Sequence, residues 1–194
     1  MGLSHFSMVN AHPDTQTLAC DSAGFLVDVL GKYLPHTKIY TKYEELLDTG
    51  NLDAVVIATP SRLHVPMVRA ALERGIHVFC EKPFCLDWRD AEELAGMAEA
   101  KGLINQVGYH YRYVGAFRRM KEIVDSGALG EIRHVVAEAY GPVVLRARKQ
   151  NWRTRKTEGG GCLYDYAAHP LNLLNWIFGQ PEHVSGSAMV PIFS

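Results

Sequence analysis

The chain has 194 residues, 47% of them hydrophobic and 21% charged, and its formal net charge is −1. This composition is that of an ordinary globular protein, and the length allows one large domain or one domain and part of another. The charge gives no electrostatic reason to expect nucleic acid or an anionic membrane as a partner. The longest apolar runs are far shorter than a membrane span, and no basic-then-apolar leader opens the chain.

The four cysteines are Cys20, Cys80, Cys85 and Cys162. They form no C-x-x-C pair and are too few for a disulfide scaffold at this length. Cys20 and Cys80 each end an apolar run, where cysteine commonly acts as a small buried hydrophobe. A zinc site built from Cys80, Cys85 and a histidine is an alternative, but reduced structural thiols are favoured, so we expect no metal and a cytoplasmic location.

Helical and strand patterns alternate through the first part of the chain. Helices are predicted over 4–11, 25–31, 42–47, 65–74 and 87–101, and strands over 17–20, 54–58, 77–80 and 104–108. The run 54–58 has the composition of a strand buried on both faces of a parallel sheet. Asp87 is predicted to cap one helix, and Gly75 and Gly102 to end two. This alternation predicts a doubly wound α/β domain over residues 1–125.

After Gly130 the pattern changes to long extended segments. Strands are predicted over 131–145 and 184–192, with a helix ending near Gly179 between them. Together they predict the first part of an α+β domain over residues 126–194. The basic stretch 146–156 fits either an anion-binding site or a solvated loop, and the solvated loop is favoured because no aromatic or backbone pattern organises it.

Both ends depart from the expected pattern. A doubly wound nucleotide-binding domain opens with a strand and a glycine-rich turn, whereas here Gly2, at the place of the last glycine of that turn, leads directly into a helix. Without the opening strand, its two neighbours are expected to separate. The second domain ends after about two strands, fewer than an independent sheet needs. We therefore expect a fragment or a partly recorded chain.

Polar residues follow several predicted strands, at the carboxyl edge where open α/β sheets bind ligands. Asp21 can accept hydrogen bonds from both ribose hydroxyls of an adenosine, which favours NAD; the alternative is a helix N-cap or a solvated turn aspartate. Ser22 tolerates a 2′-phosphate, so NADP stays possible. Thr59 and Pro60 end another strand, and His64 opens the following helix either as part of a ligand site or as a capping or surface residue.

Glu81, Lys82 and Pro83 directly follow the predicted strand 77–80. A charged pair in a cleft is costly without a partner, and the lysine can stabilise negative charge on a substrate oxygen while a hydride leaves. A surface turn is the alternative, because this tripeptide is common. Its location is what makes it a candidate reaction centre.

Asp165 and His169 are four residues apart and would share a helix face. The aspartate can orient the histidine, which can accept a hydroxyl proton as a general base. Pro170 is tolerated only in the first turn, which predicts a helix start near Ala167 with Asp165 on the approaching loop. A capping aspartate and a core histidine are the alternative.

The order of these motifs resembles the glucose–fructose oxidoreductase / inositol dehydrogenase / MocA-type family over almost the whole chain. The segments that carry the resemblance are 53–60 with His64, 75–83, 106–113 (QVGYHYRY), 126–132, Trp152-Arg153, and 159–165 with His169.

The resemblance implies a Rossmann-type NAD(P)-binding domain followed by an α/β domain with an open, mainly antiparallel sheet that often mediates homo-oligomer formation. It implies a sugar- or cyclitol-like substrate and a cis Lys82–Pro83 bond. The cofactor site would comprise Gly2, Asp21, Thr59, Pro60, His64, Glu81 and Lys82. The catalytic group would comprise Lys82, Asp165 and His169. The substrate site would comprise His110, Arg112, Trp152 and Arg153.

Two residues depart from the family pattern: His110 stands where many relatives have asparagine, and Pro170 where they have a bulky apolar residue. The predicted function is hydride transfer between a sugar- or cyclitol-like hydroxyl and the nicotinamide. The alternatives are a non-catalytic dinucleotide-binding regulator and an inactive fragment of such an enzyme.

Overall fold

The computed structural model describes residues 1–34, 36–49, 51–139, 155 and 158–186. The chain divides into two compact units, Met1–Gly108 and Tyr109–Ser194. The domain boundary predicted between residues 125 and 126 stays a prediction. Among the described residues, no helix has both the length and the apolarity needed to cross a bilayer.

The first unit alternates strands and helices. Its helices are α1 (Gly2–Asn10), α2 (Gly24–Tyr33), α3 (Tyr43–Leu47), α4 (His64–Glu73) and α5 (Trp88–Ala100). Its strands are β1 (Ala19–Cys20), β2 (Ile39–Tyr40), β3 (Ala54–Ile57), β4 (His77–Cys80) and β5 (Asn105–Val107). A short 3₁₀ turn, Ser61–Leu63, precedes α4.

All described strand pairs are parallel, as predicted for a doubly wound domain. Strands β1 and β2 form one sheet, and β3, β4 and β5 form a second one in that order. The register sets Ile57 opposite Cys80, and Cys80 opposite Val107. The carboxyl ends of β3, β4 and β5 therefore lie side by side at one edge of the sheet.

Helices α4 and α5 supply the core over one face of this sheet. The buried cluster comprises Leu47, Val55, Ile57, Val68, Ala71, Leu72, Ile76, Val78, Cys80, Leu94 and Ala98. The prediction that 54–58 is buried on both faces is wrong, because Ala54 is exposed and Val56 is 44% exposed. Side chains alternate across a strand, and only the face carrying Val55 and Ile57 packs into the cluster.

The predicted helix ends are confirmed where they depend on local chemistry. The Asp87 carboxylate accepts a hydrogen bond from the Arg89 N–H at 3.0 Å, as an N-cap does. Gly75 and Gly102 follow α4 and α5 with φ of 76° and 65°. A side chain is strained in this left-handed conformation, which explains glycine at both positions.

The regular elements in the described part of the second unit are helical. It contains a 3₁₀ turn (His110–Tyr113), α6 (Gly115–Asp125), a π-helical turn (Leu163–Ala167) and α7 (Ala168–Phe178). Helix α6 was not predicted. Asp165 lies in the π-helical turn, so its predicted place on a loop is wrong. Pro170 lies in the first turn of α7 as predicted. In a regular α-helix a proline ring clashes with the carbonyl four residues earlier, and the residues at that place here form the wider π-helical turn.

The strands predicted in this unit are not found among the described residues. Residues 131–139 are exposed and form no strand, and neither do 184–186. A strand needs a hydrogen-bonding partner, and none pairs with these segments in the part of the chain that the structure describes. Residues 140–145 and 187–192 lie outside the described residues, so the second sheet stays a prediction.

Candidate functional site

His64 connects the loops that follow β3 and β4. Its ring nitrogens lie 2.7 Å (Nδ1) from the Pro83 carbonyl oxygen and 2.9 Å (Nε2) from the Thr59 carbonyl oxygen. The residue is only 1% exposed. A neutral imidazole has one N–H and donates to one of these oxygens, whereas a protonated ring donates to both.

Glu81 begins the loop after β4, and both of its carboxylate oxygens have partners. Oε1 lies 2.6 Å from Nε2 of His5, which comes from α1, and Oε2 accepts a hydrogen bond from the Lys82 N–H at 3.2 Å. The Glu81 and His5 side chains are 12% and 16% exposed. A carboxylate so enclosed needs such partners, because burying an unpaired charge is costly.

Gly108 allows the Glu81 carboxylate to lie against the end of β5. A Cβ atom at position 108 would lie 3.1 Å from Oε2 and 3.3 Å from Oε1. His5 is further held by its ring contact with Phe79 of β4, with centroids 5.3 Å apart. Three elements, α1, β4 and β5, therefore fix the position of this carboxylate.

Lys82 is half-buried and lies between Glu81 and Pro83, which are held by their contacts with His5 and His64. Its backbone N–H bonds to Glu81, and its peptide bond to the buried Pro83 is cis, as the family resemblance implied. Because His64 contacts the Pro83 carbonyl, the backbone on both sides of Lys82 is held. The lysine side chain thus starts from a defined point at the carboxyl edge of the sheet.

Asp21 and Gly2 also lie in this unit. Asp21 follows β1, and its Oδ1 accepts a hydrogen bond from the Ala23 N–H at 2.8 Å, as a turn aspartate does; the N-cap of α2 is Ala23, which has no side-chain cap hydrogen bond. A carboxylate has further acceptor capacity. A Cβ at Gly2 would lie 3.9 Å from the Ala58 Cβ, an ordinary contact, so alanine would fit there.

In the second unit, His169 lies in an aromatic cluster formed with the 109–113 segment. The Tyr111 ring stacks on His169 with centroids 4.6 Å apart and an interplanar angle of 25°. Phe117 stacks near Tyr111 at 5.3 Å, and His110 meets His169 edge-on at 5.1 Å. These contacts restrict the orientation of the His169 imidazole.

The predicted substrate residues are only partly within the described structure. The Arg112 guanidinium donates to Asn172 Oδ1 at 2.8 Å, which ties the 109–113 segment to α7. His110 is exposed. Trp152 and Arg153 lie outside the described residues.

Three of the four cysteines have thiols that are harder to ionise than a free thiol. Burial, followed by the nearby Glu81 carboxylate, raises the pKa of the Cys80 thiol to about 12, and burial also raises the pKa values of Cys85 and Cys20. Cys80 belongs to the buried cluster, as predicted for a small hydrophobe. Within the described residues, His, Cys, Asp and Glu side chains form no group of three that could hold a metal ion.

Sequence reasoning missed three residues that shape these sites: His5, Gly108 and Tyr111. His5 and Glu81 are 76 positions apart, so no local pattern indicates their contact. Gly108 and Tyr111 fall within the segment 106–113. The signal that could have indicated them is a glycine that stands between the end of a strand and a run of aromatic residues.

The comparisons identify a family for both parts of the chain. Residues 30–109 match the model described as an oxidoreductase family with an NAD-binding Rossmann fold. Residues 117–192 match the C-terminal domain of the same family. The predicted Rossmann-type fold and family are confirmed.

Similar proteins include oxidoreductases that act on sugars and cyclitols. A Schizosaccharomyces pombe protein described as an uncharacterized oxidoreductase is 37% identical over 78% of this chain and 40% of its own length. The 1,5-anhydro-D-fructose reductase of Ensifer adhaerens is 33% identical over 74% of this chain and 43% of its own. The myo-inositol 2-dehydrogenase structure from Lactobacillus plantarum has a TM-score of 0.71 and 29% identity, covering 89% of this chain and 51% of that one.

The chain thus spans about two fifths of the length of the curated relatives it matches. Two models of one family match consecutive segments in the family's order, and the parallel sheet agrees with the first of them. The chain belongs to the GFO/IDH/MocA oxidoreductase family.

Proposed function

We propose that the protein is an NAD(P)-dependent oxidoreductase that transfers a hydride between a sugar- or cyclitol-like hydroxyl and the nicotinamide. The observation that carries this proposal is the fixed Glu81-Lys82-Pro83 loop at the carboxyl edge of a parallel sheet in an NAD-binding family. Ligands of open α/β sheets bind at that edge. A half-buried lysine held on both sides is suited to act on a substrate there.

The residues present fit a nicotinamide dinucleotide. Gly2 begins α1 close to Ala58, so the start of this helix lies near the end of β3, and helix N-termini favour phosphate. Thr59, Pro60, Glu81 and Lys82 would form the nicotinamide side, with the buried His64 contacting the Thr59 and Pro83 carbonyls, and Asp21 would form the adenosine side. The Asp21 carboxylate favours ribose hydroxyls over a 2′-phosphate, so NAD is the proposed cofactor and NADP the alternative.

The chain's own residues supply the acid–base chemistry. When bound, a nicotinamide cofactor would provide the hydride-transfer chemistry. Lys82 stabilises the negative charge that develops on the substrate oxygen. His169 accepts the hydroxyl proton during oxidation and returns it during reduction, with Asp165 orienting it.

The proposed substrates are small sugars, cyclitols or their derivatives. This is supported by relatives and neighbours named for 1,5-anhydro-D-fructose and myo-inositol. A homo-oligomer and a cytoplasmic location remain family-level proposals.

Replacing Lys82 with Met tests the mechanism, with Lys42→Met as the matched control because the Lys42 side chain is 70% exposed. Each protein is assayed for NADH production with a panel of sugars and cyclitols, and for NADH binding by fluorescence. We expect Lys82→Met to lower turnover by about a hundredfold or more, the scale of losing one charge-stabilising group, while Lys42→Met has no effect. Retained turnover in Lys82→Met would remove the lysine from the mechanism, and NADH binding without turnover on any substrate would favour a regulatory protein.

A further inference from the structure

We propose that His64 is a positioning residue whose two ring nitrogens hold two different loops, one for cofactor binding and one for Lys82. This inference rests on the proposed function, because the roles of the two loops come from it. It departs from the expectation that His64 itself lines the dinucleotide site.

The ring has no polar atom left for a ligand in this geometry. Nδ1 is 2.7 Å from the Pro83 carbonyl oxygen and Nε2 is 2.9 Å from the Thr59 carbonyl oxygen. The residue is 1% exposed and belongs to the first turn of α4, which packs against the sheet. A direct hydrogen bond to a cofactor would require His64 to give up one of these carbonyls.

Each carbonyl belongs to a loop with a separate task. Pro83 directly follows Lys82, so the Nδ1 contact fixes the backbone from which the lysine extends. Thr59 directly precedes Pro60 at the end of β3, so the Nε2 contact fixes the wall proposed to line the dinucleotide. A buried polar ring is costly unless it is hydrogen-bonded, and both oxygens within hydrogen-bond distance of this ring are backbone carbonyl oxygens, which move only with their loops.

The two contacts can be removed one at a time. In His64→Asn the side-chain amide nitrogen stands near the Nδ1 position, which keeps the Pro83 contact and loses the Thr59 contact. In His64→Gln the amide nitrogen stands near the Nε2 position, which keeps the Thr59 contact and loses the Pro83 contact. A buried histidine with only a structural role would make the two variants alike in every assay.

We expect the two variants to separate in their kinetics. Loss of one net hydrogen bond corresponds to about a three- to tenfold effect. His64→Asn should therefore bind NADH about three- to tenfold more weakly with kcat near the wild-type value. His64→Gln should bind NADH like the wild type with kcat lowered about three- to tenfold, and its Lys82 should differ from wild type in its rate of labelling by an amine-reactive reagent. Equal changes in both variants, or the reverse assignment, would overturn the inference.

A measurement on the unmodified protein covers the case in which a variant does not fold. Nitrogen-15 NMR of the His64 ring, recorded with and without NADH, should show the same hydrogen-bonded N–H signal in both states. A change in which ring nitrogen carries the bonded proton when NADH binds would identify His64 as a direct ligand and overturn the inference.

The same experiments separate this inference from the proposed function. If the wild type binds no nicotinamide cofactor, or Lys82→Met keeps full turnover, the proposed function fails and the inference fails with it. If the wild type binds NADH, Lys82→Met is inactive, and His64→Asn and His64→Gln behave alike, only the role of His64 is wrong.

Discussion

Replacing Gly108 with Ala should disturb the His5–Glu81 contact from the opposite side. The new Cβ would lie 3.1 Å, 3.2 Å and 3.3 Å from Oε2, Cδ and Oε1 of Glu81, whereas ordinary contacts begin at 3.4 Å. The carboxylate must therefore move by a few tenths of an ångström. His5 Nε2 is only 2.6 Å from Oε1 and both side chains are largely buried, so this contact takes up the movement.

The expected free-energy change follows from two opposing effects. A hydrogen bond to a charged group contributes about 1.5–3 kcal/mol, and we expect a partial loss of about 1 kcal/mol. Replacing glycine by alanine also stabilises by about 0.4–1 kcal/mol through the unfolded chain. Gly96→Ala is the matched control, because Gly96 is exposed within α5 and its added Cβ meets nothing within 4 Å. Both variants gain this stabilisation, so it cancels in the comparison, and Gly108→Ala should be about 1 kcal/mol less stable than Gly96→Ala.

Urea unfolding of both variants measures this difference, and a double-mutant cycle with His5→Ala identifies its cause. The cost of Gly108→Ala should largely disappear once His5 is absent, since residues in one contact are not additive. The reasoning is refuted if Gly108→Ala is as stable as Gly96→Ala, or if its cost is unchanged in the His5→Ala background.

Three further predictions concern the core, the thiols and the aromatic cluster. Leu94→Ala should lower the free energy of unfolding by about 2–5 kcal/mol, because Leu94 is 0% exposed. Leu171 is 52% exposed, so Leu171→Ala should lower it by about 0.5 kcal/mol or less. Equal losses in urea unfolding would contradict the described core. Because burial raises the pKa of Cys80 from 9.0 to about 12, iodoacetamide should label the exposed Cys162 but not Cys80 in the folded protein at pH 9. Between pH 9 and 12 the Cys80 thiol loses its proton more readily in the unfolded chain than in the folded one, so its contribution to stability should fall over that range. Equal labelling of Cys80 and Cys162, measured by peptide mass spectrometry, would refute the burial of Cys80. Tyr111→Leu should lower the free energy of unfolding by about 0.5–1.5 kcal/mol, because it removes the stacking on His169 and Phe117, and it should also lower kcat. Tyr111→Phe keeps the stacking and serves as the control. Identical unfolding curves and kcat values in the two variants would contradict a positioning role for this stack.

Local signals made the elements around the site predictable. The apolar strand 77–80 was predicted with its observed bounds, and α5 was predicted from its Asp87 cap and the glycine that ends it. Capping and left-handed glycines depend on a few adjacent residues. The order of the edge motifs then placed Thr59 and Lys82 after neighbouring parallel strands.

Other features could not be predicted, either because local signals are lacking or because they depend on residues that are distant in the sequence. Helix α6 begins at Gly115 after Val114 without a side-chain cap, and its first turn has no acidic residue, so the usual start signals are lacking. The exposed side of β3 reflects which face α4 and α5 cover, a property of the packed unit. The His5–Glu81 contact and the two carbonyl partners of His64 likewise arise only once the strands are side by side.

Hydrogen–deuterium exchange with and without NAD tests the central claim most directly, because it reports where a nicotinamide cofactor binds. The account predicts that NAD slows amide exchange in peptides containing residues 58–64 and 81–83, at the carboxyl edge of β3 and β4, and leaves residues 94–100 in the second half of α5 unchanged. Unchanged exchange at both edge segments, in the presence of saturating NAD, would contradict it.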